Sequence, residues 1–74
     1  MKTLESFEFE GKFYEIKMVE TADRLTVRAY HQNAVANYFS HSIDKDTNED
    51  FIRVHGRDAI KELIQHAKSD ITGN

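Results

Sequence analysis

Apolar and polar residues alternate with a period of two over most of the first thirty positions, and that alternation predicts three antiparallel strands. Residues 6–10 read Ser-Phe-Glu-Phe-Glu, and Glu10-Gly11 suits a two-residue hairpin turn. Under that turn Phe9 faces Lys12 and Phe7 faces Tyr14. A second strand over 12–19 then carries Tyr14, Ile16 and Met18 on the face begun by Phe7 and Phe9. The polar run Glu20-Thr21-Ala22-Asp23 leads into a third strand over 24–31, with Leu25, Val27 and Ala29 at alternate positions. If residues 20–23 form the loop, Met18 meets Leu25, Ile16 meets Val27 and Tyr14 meets Ala29, so every apolar side chain on that face gains an apolar partner. The same register sets Phe13 against Tyr30 and Glu15 against Arg28 on the other face.

Further along, Gln32-Asn33-Ala34 reads as a turn, with Asn33 the residue best able to adopt positive φ. A fourth strand is expected over 35–43. A three-residue turn points Val35, Phe39 and Ile43 inward and Tyr38 outward, and a two-residue turn does the reverse. The first is preferred because it buries more apolar surface. Residues 44–50 are polar and acidic, with Thr47 a candidate N-cap and Asp50 three positions on. From 48 to about 70 the apolar residues Ile52, Ala59, Ile60, Leu63, Ile64, Ala67 and Ile71 recur at spacings of three and four, forming one helical stripe. Gly56 interrupts it. It either ends a first helix or sits inside a single one, at a cost of ~1 kcal/mol against alanine. The predicted fold is α+β: one domain over 1–74, a four-stranded antiparallel meander (β-β-β-β-α) with a C-terminal helix, continuous or broken at Gly56, packed on one face.

Seventy-four residues make a small domain that buries only about 60% of its unfolded surface. Five Phe, three Tyr and a 39% hydrophobic fraction argue against disorder. With no cysteine, neither a disulfide nor a thiolate metal site is available. That composition suits a reducing compartment. No basic start runs into an apolar stretch, so no signal peptide is expected, and no run approaches the ~18 residues of a membrane span. A cytoplasmic protein without membrane contact is the expectation.

Charge narrows the function classes. Ten Lys and Arg are scattered among thirteen acids, giving a net charge of −3. Nucleic-acid binding is disfavoured, since phosphate-gripping proteins gather their cations on one face. Asp44-x-Asp46-x-Asn48-x-Asp50 has the oxygen spacing of the start of an EF-hand loop. Glu49 stands where that loop needs glycine, and His55 where it needs a bidentate glutamate. An acidic strand-to-helix connection is the better reading. The four histidines (His31, His41, His55, His66) show no metal-ligand spacing. Ser40, His41, Ser42 and Asp44 supply the residue types of a catalytic triad, but on one extended segment their side chains alternate between faces. No enzyme activity, cofactor or metal is expected.

What remains is the sheet face away from the helix. It is expected to present Phe13, Tyr30 and Tyr38 rimmed by Glu15 and Arg28, and contiguous aromatics rimmed by charge are typical of interfaces. The reading is a small protein-interaction module, homodimeric or docked on a larger partner. The alternatives are a single-stranded nucleic-acid binder stacking bases on the same rings, or a small ligand- or metal-responsive regulatory domain.

Overall fold

The computed structural model describes residues 1–37 and 40–73. Lys2–Phe9 (β1), Lys12–Glu20 (β2) and Arg24–His31 (β3) form an antiparallel meander. Ala34–Val35 (β4) and His41–Asp44 (β5) both pair with β3, and two helices follow, Lys45–His55 (α1) and Ile60–Thr72 (α2). The α+β class and the sheet-plus-helix layering are as the pattern predicts.

The first hairpin has the expected register, Phe7 opposite Tyr14 and Phe9 opposite Lys12. Both turn residues have positive φ, 52° at Glu10 and 78° at Gly11, which gives the turn a twist that matches the strands it joins. A bulge between Thr3 and Glu5 absorbs Leu4, whose side chain packs against the core.

The second hairpin differs from the expected pairing by two residues. Glu20 pairs with Leu25, Met18 with Val27 and Ile16 with Ala29. The turn is tighter than a four-residue loop, closed by a 2.9 Å bond from Thr21 N–H to the Arg24 carbonyl. The Thr21 hydroxyl reinforces it, donating toward Asp23 Oδ1 or the Arg24 carbonyl, each 3.3 Å away. A shift of two preserves which face each side chain occupies, so the inner face stays apolar. The outer-face pairs change. Phe13 is not opposite Tyr30 and Glu15 is not opposite Arg28; the pairs are Glu15 with Tyr30 and Lys17 with Arg28.

The expected fourth strand is interrupted. A two-residue turn at Gln32 (φ 52°) and Asn33 (φ 66°) sets Ala34 opposite His31 and Val35 opposite Tyr30. Pairing resumes with His41 opposite Val27 and Ile43 opposite Leu25. Between these rungs β3 spends Arg28 and Ala29 while the neighbouring chain spends residues 36–40. The excess is odd, so facing inverts across it. Val35 points outward, against expectation, while Ile43 points inward, as expected.

The core lies between the inner sheet face and α2. Ile16, Val27, Ala29 and Ala67 are fully buried, and Phe7, Met18, Ile60, Leu63, Ile64 and Ile71 pack around them. Burying a residue such as Ile16 or Val27 contributes roughly 1.5–3 kcal/mol. Helix α1 behaves differently. It starts at Lys45 with Asp44 as N-cap, so Thr47 lies in the first turn and is no cap. It ends at Gly56, whose φ of 71° and N–H bond to the Ile52 carbonyl mark a left-handed C-cap. The helix is therefore broken there. Ile52 (41% exposed) and Val54 (76%) lie in solvent, so the apolar stripe is confined to α2 and its approach. The chain is correspondingly elongated, 39 × 24 × 18 Å.

Buried Asn48 joins the two helices: its Oδ1 accepts the Ala59 N–H at 3.0 Å, while Asp58 Oδ1 accepts that of Ile60 at 2.8 Å. These bonds satisfy amide groups that the start of α2 would leave without acceptors. Asn48→Ala strands a buried donor and should lower stability in urea denaturation by about 1–3 kcal/mol. Thr47→Ala, at the expected but unused cap, should stay within about 0.5 kcal/mol of the native protein.

Candidate docking surface

Strand alternation sends Phe13, Glu15, Lys17 and Val19 of β2 to the outer face, together with Thr26, Arg28 and Tyr30 of β3 and Val35 of β4. Among the described residues no helix covers this side, because α2 packs on the other. Phe13 is 58% exposed, Val35 49% and Val19 38%.

Successive rungs of this face differ in chemistry. One holds Glu15, Tyr30 and Val35 side by side. Phe13 and Glu8 form the rung beyond it. On the other side of Tyr30 lies a cationic rung, Lys17 directly opposite Arg28, followed by Val19 with Thr26. Lys17 leans over the Tyr30 ring, its Nζ 5.3 Å from the centroid. It also reaches the Asn33 side-chain oxygen at 3.3 Å and Glu15 at 3.9 Å. Arg28 Nη2 donates to the Asn37 carbonyl at 3.1 Å, while its Nε is buried with no acceptor among the described residues. No carboxylate among the described residues pairs with Arg28.

Of the residues expected to form this surface, Phe13, Glu15, Arg28 and Tyr30 do share one face. Phe13 and Tyr30 are diagonal rather than opposite, and each retains its outward position. Tyr38 lies outside the described residues, as does Phe39.

A polar cluster at the sheet edge was not evident from the sequence. Where β4 breaks off, buried Asn37 takes over the ladder: its Oδ1 accepts the Ala29 N–H at 3.0 Å, and the Ala36 N–H bonds the Ala29 carbonyl at 2.9 Å. Asn37 Nδ2 donates to Asp70 Oδ2 on α2 at 3.0 Å, and His41 Nε2 donates to the same oxygen at 2.7 Å. The His66 ring stands 5.5 Å from that of His41. Burial works to raise the Asp70 carboxyl, but the hydrogen bonds from His41 and Asn37 outweigh it and hold the group below the ordinary aspartate value of 3.8. The partner of His41 is thus Asp70, not the nearby Asp44, which pairs with Arg24 at 3.1 Å.

The acidic run resembling a cation loop sits at the end of β5 and on α1. Asp50 pairs with Arg53 at 2.9 Å, and Asn48 is committed to Ala59. Among the described residues no three ligating side chains converge, and no helix is long and apolar enough to cross a membrane. No family model, curated protein or solved structure matches the chain, so the surface is read from its own chemistry.

Two measurements check the edge cluster. Asn37→Ala leaves the buried Ala29 N–H without its acceptor and should cost about 1–3 kcal/mol in urea denaturation. Because the folded state favours ionised Asp70, the unfolded chain binds that proton more readily, and the contribution of Asp70 is present above its unfolded value and lost as pH falls through its folded one. Stability followed from pH 6 to pH 2 should decline below about pH 4, less steeply in Asp70→Asn.

Proposed function

We propose that the protein is a non-catalytic interaction module that meets a second copy of itself through the outer sheet face. The uncovered Phe13, diagonal to Tyr30 and bordered by charges of both signs, with Val35 beside Tyr30 and Val19 at the far end of the face, carries this reading. Exposed aromatics amid mixed charge are the usual make-up of a protein contact, and a two-fold contact needs only one self-complementary patch. Stacking of single-stranded nucleic acid on the same rings fits less well, because Glu8 and Glu15 stand among them and would repel phosphate.

Phe13→Ser combined with Tyr30→Ser should weaken self-association at least tenfold in sedimentation equilibrium and leave the far-UV dichroism unchanged. A native protein that stays monomeric at millimolar concentration would sink the reading. Titration with a labelled single-stranded oligonucleotide at low salt, where electrostatic affinity is greatest, should give no signal. Saturable binding there would transfer the surface to the nucleic-acid class.

A further inference from the structure

We infer that the two copies are related by a two-fold axis lying in the plane between their sheets, perpendicular to the strands and passing over the Ile16–Ala29 rung. This rests on the outer-face reading above. Such an axis reverses strand direction while laying β2 on β2 and β3 on β3. The rung above the axis in one copy then covers the rung below it in the other.

This operation pairs like with like only where both are apolar. Ile16 and Ala29 are register partners. One step to one side are Glu15 and Tyr30; one step to the other are Lys17 and Arg28. The axis lays Glu15 on the Lys17 position of the other copy and Tyr30 on the Arg28 position, an ion pair and a cation over a ring. Two steps further out, Phe13 meets Val19, so two exposed apolar side chains cover each other. Each contact occurs twice.

The separate chain also supplies a reason for such a contact. Like charges directly opposite on neighbouring strands repel, and Lys17 faces Arg28 across the sheet. Arg28 has no carboxylate partner among the described residues, and its Nε has no acceptor there. The facing copy brings a Tyr30 ring over each Arg28 and a second Glu15 to each Lys17, which the Glu15 of its own chain reaches at 3.9 Å. Sheets that pack face to face with their strands within about 30° of each other have the geometry this axis requires.

Charge reversal tests the axis directly. Glu15→Lys gives a copy with cations in both rungs, and Lys17→Glu a copy with acids at both β2 positions. Each variant alone should associate at least tenfold more weakly than the native protein by sedimentation. An equimolar mixture should regain a dimer holding one copy of each, because every facing pair is again of opposite sign. Thermal melting confirms that both variants fold; should Lys17→Glu not fold, Lys17→Gln replaces it in the mixture, since it removes the cation that position 15 of the other copy faces. If the native protein dimerises and the Phe13/Tyr30 variant does not, yet both reversals associate normally or the mixture fails to recover, the axis is wrong and the docking face stands. If the native protein is monomeric, the docking face itself falls.

Discussion

A single helix covers one face of a sheet and leaves the other open, and most of this structure follows from that inequality. Ala67 lets α2 approach the backbone closely enough for Ile60, Leu63, Ile64 and Ile71 to surround Ile16 and Val27. Among the described residues no element packs over the reverse side. Helix α1, the one other candidate, turns elsewhere, with Ile52 and Val54 in solvent. Sheet parity therefore decides the fate of every side chain in β2 and β3: inward to the core, or outward to an uncovered surface.

Parity in the first three strands was legible in the sequence, as was the register of the first hairpin; the register of the second was not. Burial of one face penalises a slip of one residue heavily, because one strand would reverse its faces and expel either Ile16 or Val27. A slip of two carries no such penalty, since Met18 finds an apolar partner in either Leu25 or Val27. The choice fell to the turn, where Thr21 closes a tighter loop. The favourable Phe13–Tyr30 and Glu15–Arg28 pairs expected from the longer loop were thus plausible but not selected. What replaced them, a pair of facing cations, is costlier to the isolated sheet.

The broken fourth strand was illegible for a different reason. A backbone ladder has a recognisable period, whereas a ladder continued by a side chain has none. Asn37 accepts the Ala29 N–H and so stands in for a strand residue. Recognising it requires knowing that Asp70, thirty-three positions on, will meet its amide. The helix break at Gly56 was visible as an alternative. Its resolution came from Asn48, which supplies an acceptor for the start of a new helix and so makes termination tolerable.

These features divide the molecule into a satisfied side and an unsatisfied one. At the sheet edge and between the helices, polar groups find partners within the chain: His41 and Asn37 share Asp70, and Asn48 holds Ala59. On the outer face the aromatic and aliphatic groups lack cover, and Arg28 is incompletely matched. Self-association that matched those groups would also stabilise the fold by mass action, since a contact made only by the folded chain draws the equilibrium toward it. Under the proposed association, the uncovered face would be both the surface offered to the second copy and a reserve of stability realised on binding.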